Sequence, residues 1–154
     1  MRKFLFILGG LAAITLSSCN HNTVFDEYLH TPVEGWEKND TLFFKVDSIP
    51  QDGEYAQNLG LRINNSYPFI SLTLVVEQRT SISKQAKKDT VVCSFVDKNG
   101  SRKGHGTDSY QYNYHISTIA LRKGDKVTIS VRHDMKREIL PGISDVGIRI
   151  RQNN

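Results

Sequence analysis

The sequence predicts an all-β chain, a single antiparallel β-sandwich behind an N-terminal export signal. Three observations carry this. About eight runs after residue 23 alternate apolar and polar residues with period two, the pattern of a half-buried strand. Clusters of Gly, Pro, Asn and Asp separate those runs. No stretch after residue 20 shows the spacing of an amphipathic helix. With no helix to cover a sheet, packing one sheet on another is the way to bury an apolar face.

The first nineteen residues have a different character. Arg2 and Lys3 are positive, Phe4 to Leu16 form an uncharged apolar run, and Leu16-Ser17-Ser18-Cys19 closes it. This is the layout of a secretory signal peptide with small residues before the cut. The run is too short for a membrane span, which needs roughly 20 residues. Leu three positions before the cut and Cys just after it make a lipobox. It resembles that of bacterial lipoproteins, whose cysteine thiol takes a diacylglycerol and becomes the new N-terminus. The expected organisation is therefore residues 1–18 as signal peptide, 19–23 as lipidated Cys19 and a short polar tether, and 24–154 as the β-sandwich domain. The membrane is then the first expected partner. Each buried methylene contributes about 0.8 kcal/mol, and two or more chains anchor stably.

Taking 18 residues from 154 leaves 136, enough for one domain with a real core. The whole chain has 20 Lys and Arg against 16 Asp and Glu. Losing Arg2 and Lys3 leaves 18 against 16, a balance of +2. The pI of 9.1 partly reflects the signal, and nucleic acid is discounted as a partner. The only cysteines are Cys19 and Cys93. If Cys19 carries lipid, Cys93 has no disulfide partner, and its place in Val91–Val96 predicts a buried core thiol.

Taken in order, Val24, Phe25 and Tyr28 read as a first strand, followed by a turn over Thr31–Trp36. Leu42, Phe44 and Val46 share one face of the next strand, and Ser48 to Gly53 is a turn cluster. Leu59 to Ile63 alternates again. Phe69 to Gln78 is a longer strand with Leu72, Leu74 and Val76 inward. Residues 79–88, with Arg79, Lys84, Lys87 and Lys88, read as an exposed basic loop. A strand from Asp89 to Val96 follows, then Asp97-Lys98-Asn99-Gly100, whose Asn-Gly suits a tight primed hairpin turn. Tyr110, Tyr112 and Tyr114 alternate on one strand face, which continues as Ile116 to Leu121. Val127, Ile129 and Val131 line an inward face, residues 133–141 are a connection with room for one helical turn, and Val146, Ile148 and Ile150 form the closing strand.

Chemistry-bearing residues are sparse. His21, His30, His105, His115 and His133 are scattered, with no close ligand spacing. No metal or cofactor is expected, and a meeting of His115, His133 and Cys93 in space is the one arrangement that would change this. There is no nucleophile elbow, P-loop or dinucleotide fingerprint. Gly142 is expected to serve a turn, with Ser144 or Asp145 bonding backbone. No catalytic residues are assigned, and a hydrolase would need carboxylates converging in a cleft. Tyr110, Tyr112 and Tyr114 are the candidate ligand or partner surface, since aromatics on a sheet face can stack on sugars. Cross-strand packing is the plainer reading of the same stripe. Lys84 to Lys88 could touch anionic headgroups, though a solvated loop accounts for them.

The stretch from His133 to Ile148 resembles the closing signature of the gliding motility lipoprotein family GldH. The lipobox, Phe25-Asp26-Glu27-Tyr28 before Gly35-Trp36, Ile63 to Phe69 with Tyr67-Pro68, Asp89-Thr90 and the Gly100–Gly106 loop resemble that family in the same order. The resemblance implies a lipid-anchored, non-enzymatic envelope protein needed for surface motility, with motility or secretion proteins of the envelope as partners. It brings no catalytic residues. Asn20-His21-Asn22-Thr23 carries no acid after Cys19. In the lineage the resemblance implies, surface-exported lipoproteins commonly carry acids there. The expected location is therefore the periplasmic face of the outer membrane. The alternative reading is a glycan-binding envelope lipoprotein using the tyrosine-lined strand face.

Overall fold

The computed structural model describes residues 22–153. The signal run, Cys19 and the start of the tether lie outside these residues. Four strands, β1 (Thr23–His30), β4 (Gly53–Asn64), β7 (Ser109–Leu121) and β10 (Ile143–Gln152), form one sheet in the order β1-β10-β4-β7. A second sheet contains β3 (Leu42–Val46), β5 (Ser71–Thr80), β6 (Ala86–Ser94) and β8 (Val127–His133), in the order β3-β8-β5-β6. Two short strands, β2 (Trp36–Glu37) and β9 (Ile139–Leu140), pair with each other.

The pairs β1/β10, β3/β8, β4/β7 and β5/β6 are all antiparallel and nest one inside the next along the chain. Successive pairs alternate between the two sheets. A long hairpin rolled up on itself gives this order, the jelly-roll form of the sandwich.

The period-two pattern fixes which faces meet. On the first sheet, Leu59, Leu61, Ile63, Val146, Ile148 and Ile150 are buried; on the second, Leu72, Leu74, Val76, Ile129, Val131 and Phe44 face them. Burying such a side chain contributes about 1.5–3 kcal/mol, so this interior can hold the fold without a disulfide. Cys93 is a free, buried thiol within it. A polar link crosses the interior: the Gln57 amide on β4 donates to Gln78 Oε1 on β5, and Ser117 Oγ donates to Gln57 Oε1 at 3.3 Å.

Three local expectations change. The basic loop shrinks to residues 81–85, because Arg79 and Thr80 end β5 while Lys87 and Lys88 belong to β6. Strand β6 is a sheet edge, where lysines discourage pairing with another chain. The 133–141 connection has no helical turn; Ile139–Leu140 pairs with Trp36–Glu37 instead. The Asn-Gly hairpin closes through Gly100 N to Asp97 O (3.1 Å) and Asp97 N to Ser101 O (2.8 Å). Only Gly100, at φ 79°, is left-handed there, and Asn99 is not. That is a turn with a glycine bulge rather than a primed turn.

The topology gives the sandwich two unlike ends. Asn22 O accepts from Gln152 N at 2.7 Å, so the entry of the chain sits beside its exit. Loops 47–52, 81–85 and 122–126 share that end. Loops 31–41, 65–70, 95–108 and 134–142 gather at the other.

Candidate functional site

The tyrosine stripe comes first. Register sets Tyr110 opposite Ile63, Tyr112 opposite Leu61 and Tyr114 opposite Leu59. Residues directly opposite share a face, so the stripe points into the sandwich. Tyr112 is buried, and Tyr110 and Tyr114 are half-buried against the core. The Tyr112 and Tyr114 rings stack at 6.4 Å, and Phe95 lies 4.7 Å from Tyr112 and 5.5 Å from Tyr67. Tyr114 donates to Ser94 O and Tyr67 to Ser71 O, each at 2.8 Å. Burial raises the Tyr67, Tyr112 and Tyr114 phenols. The Tyr110 ring is covered by the Arg102 guanidinium at 4.6 Å. A cleft of about 50 Å³ opens beside this cluster, between Phe69, Ile70 and Arg102. Small-molecule sites need roughly 300 Å³ or more, so a sugar has no room there.

The other sequence candidates are kept apart. His115 faces outward on β7, with Nδ1 3.4 Å from Asn58 Oδ1. Burial pushes the Cys93 thiol up to about 12, which leaves it unreactive at neutral pH. His133 is enclosed beside Trp36, ring centroids 5.4 Å apart and edge to face. Its Nε2 donates to Trp36 O at 3.2 Å, because a carbonyl can only accept, and Nδ1 accepts from Met135 N at 3.4 Å. Burial lowers its pKa, and both bonds fix the neutral tautomer. Among the described residues, no cluster of three His, Cys, Asp or Glu side chains could hold a metal ion.

Gly142 does serve the turn into β10, at φ 83°, and its carbonyl accepts from Asn64 N at 2.8 Å. Asp145 behaves differently from the expectation. Its buried carboxylate faces His30 and, at 3.8 Å, Arg62, rather than backbone. The His30 contact lacks hydrogen-bond geometry, so Asp145 Oδ1 has no hydrogen-bond partner.

Sequence reasoning missed two constructions. On the outer face of the first sheet, Arg62 lies 4.3 Å from the Tyr28 ring, and Gln111 Nε2 donates to the Tyr28 hydroxyl at 3.3 Å. Beside it Arg149 grips Asp26 at 2.7–2.8 Å. The signal was present in Gly60 and Gly147, since glycine inside a strand marks a close approach. The second is Asp125, fully buried at the end where the chain enters. Its carboxylate accepts from the N–H groups of Ile82 (2.8 Å), Ser83 (3.0 Å) and Arg122 (3.0 Å), and from Ser83 Oγ (2.6 Å). Its carbonyl accepts from Ile49 N at 2.9 Å. Burial alone would raise this carboxyl, but the Ser83 hydroxyl and the three N–H groups outweigh it and hold it at about 2. Ser83 therefore touches a carboxylate too weakly basic to activate it. Asp125 acts as a clamp on three loops.

A shallow groove of about 400 Å³ runs over the outer face of the second sheet, between Phe43, Glu77 and Arg79. The small hydroxyl residues Thr128 and Ser130 form its floor.

Fold and side chains together define a jelly-roll module whose polar groups hold loops and sheet faces in place. The family model described as GldH lipoprotein matches residues 23–150. The chain is 35% identical to the gliding motility lipoprotein GldH of Flavobacterium johnsoniae, over 94% of each chain. It is 26% identical to a GldH homolog of Christiangramia forsetii, over 98% of this chain and 95% of the other. Among solved structures, a family GH115 4-O-methyl-α-glucuronidase aligns with 86% of this chain and 18% of its own, at TM-score 0.46 and 11% identity. The chain belongs to the GldH lipoprotein family. With that family comes a lipid-anchored place in the cell envelope.

Proposed function

We propose that the chain is a non-enzymatic envelope lipoprotein that supports gliding motility and the protein secretion machinery tied to it. The observation that carries this is the match to a relative named for gliding motility, at 35% identity across 94% of both chains. The chain is held through lipid on Cys19, after removal of residues 1–18, and its partners are envelope proteins of the motility or secretion apparatus. It faces the periplasm from the outer membrane, because no acidic run follows Cys19.

The test is crosslinking in intact cells followed by purification of the tagged chain. Enrichment of motility or secretion components is the expected result, and recovery of the chain alone contradicts the proposal. Protease added to intact cells should spare the chain and degrade it only after the outer membrane is permeabilised. Degradation in intact cells would place it on the surface instead. The tyrosine stripe points into the sandwich and Arg102 lies over Tyr110, so a single function is proposed.

A further inference from the structure

The end of the sandwich where the chain enters carries more exposed cations than exposed acids. Lys84 in loop 81–85, Arg122, Lys123 and Lys126 in loop 122–126, and Arg151 at the end of β10 are all exposed there. None of the five takes part in an ion pair among the described residues. The exposed acids of this end, Asp47, Asp52 and Glu54, are fewer. Asp52 is already engaged, accepting from Lys123 N at 2.7 Å.

Among these cations stands Ile82, 51% exposed at the tip of loop 81–85. The loop is not slack. Asp125 holds the N–H groups of Ile82 and Ser83; Thr80 Oγ1 accepts from Ser83 Oγ (2.8 Å) and Gln85 N (2.9 Å); Gln85 Nε2 reaches Ala120 O (3.0 Å). Lys84 is the one residue other than glycine with positive φ, at 52°, among those described. Such a conformation persists only where its surroundings impose it, and it collects at functional positions. The result is a half-exposed isoleucine on a pinned loop, at the same end as five cations that are in no ion pair among the described residues.

Position supplies the occupant. The four residues after Cys19, Asn20 to Thr23, span at most about 14 Å, so a lipid on Cys19 brings this end, not the opposite one, to the bilayer. We propose that the tether-bearing end is a lipid-contacting face. Lys84, Arg122, Lys123, Lys126 and Arg151 meet anionic phospholipid headgroups of the leaflet that holds the acyl chains, and Ile82 enters between those headgroups. The inference rests on lipid anchoring at Cys19. Contact at a second point fixes the tilt of the sandwich, so that loops 31–41, 65–70, 95–108 and 134–142 point away from the membrane.

The test uses the full lipidated chain, reconstituted into vesicles of phosphatidylcholine alone or mixed in equal parts with phosphatidylglycerol. Ile82→Cys carries a polarity-sensitive fluorophore, and Ile70→Cys carries the same label at the far end. Buried Cys93 stays unlabelled. On phosphatidylglycerol vesicles the label at 82 should shift to the blue and lose most of its access to iodide, while the label at 70 stays accessible. High salt should reverse the shift. Each cation near an anionic surface contributes about fivefold, so combining Lys84→Gln, Lys123→Gln and Lys126→Gln should weaken the contact about a hundredfold. A label at 82 that stays open to iodide while the protein floats with phosphatidylglycerol vesicles would overturn the contact and leave anchoring intact. A chain with native Cys19 that fails to float would sink the anchoring reading, and this inference with it.

Discussion

The ring of Tyr28 occupies the space that a side chain at Gly60 would need. Tyr28 on β1 pairs with Gly147 on β10, and Gly147 pairs with Gly60 on β4, so the ring crosses two strands over two bare backbones. A Cβ at Gly60 would strike the ring's hydroxyl end, and one at Gly147 would strike its edge. Arg62 then closes over the ring at 4.3 Å. Three strands of one sheet are thereby tied on the solvent side by one side chain.

Gly60→Ala should destabilise the fold by about 1–3 kcal/mol, the cost of overpacking a filled site. In a Tyr28→Ala background the same change should be neutral or stabilising by about 0.5–1 kcal/mol, because glycine inside a strand is unfavourable on its own. Urea unfolding of the two single variants and the double variant measures the coupling. Additive effects would mean that Tyr28 does not occupy that space.

Asp125 makes the stability depend on acid. Its folded pKa of about 2 lies below the ordinary 3.8. A lowered carboxyl stabilises the fold above the unfolded pKa and loses that contribution as pH falls from about 4 towards 2. The loss is about 2 kcal/mol. Asp125→Ala should cost about 2–3 kcal/mol at neutral pH, since it leaves three part-buried N–H donors without their charged acceptor. Urea midpoints at neutral and acid pH for native chain and variant check both. Equal pH dependence in the two would contradict the clamp.

His133 works in the opposite chemical sense but in the same pH direction. Burial lowers its pKa below 6.5, so the unfolded chain binds the proton more readily. Its contribution is complete above pH 6.5 and fades as pH falls from there towards the lowered folded value. Protonation would also remove Nδ1 as acceptor for Met135 N. Replacing His133 with Gln should flatten the stability profile just below pH 6.5, read from thermal midpoints across that range. An unchanged slope would assign the pH dependence to another group.

The tyrosine stripe should behave as packing. Tyr114→Phe removes the bond to Ser94 O and should cost about 1 kcal/mol. Tyr112→Ala should cost about 3–5 kcal/mol as a buried aromatic truncation. Thermal unfolding measures both. Unchanged stability together with altered retention on glycan columns would restore the stripe as a ligand surface.

Much of this was legible in the chain. Val127, Ile129 and Val131 alternate so strictly with Thr128 and Ser130 that the buried face follows from the period alone. Tyr110, Tyr112 and Tyr114 alternate just as strictly, yet one chain cannot tell an inward aromatic face from an outward one. The register against Leu59, Leu61 and Ile63 decides it. Lys87 and Lys88 read as loop because charge hides strand character on an edge. Lys123-Gly124-Asp125 has the composition of an ordinary turn, and nothing local marks Asp125, since its partners Ile82 and Ser83 lie some forty positions away. Long-range polar contacts of this kind leave no local pattern.

The central claim, a lipid-anchored motility component, meets its most direct test in Cys19→Ala. The variant is expressed in place of the native chain in a gliding host, and membrane fractionation is measured beside colony spreading. The predicted result is an unlipidated chain that leaves the outer-membrane fraction and fails to support spreading, while the native sequence does both. A variant that still fractionates with the outer membrane and restores full spreading would contradict the account.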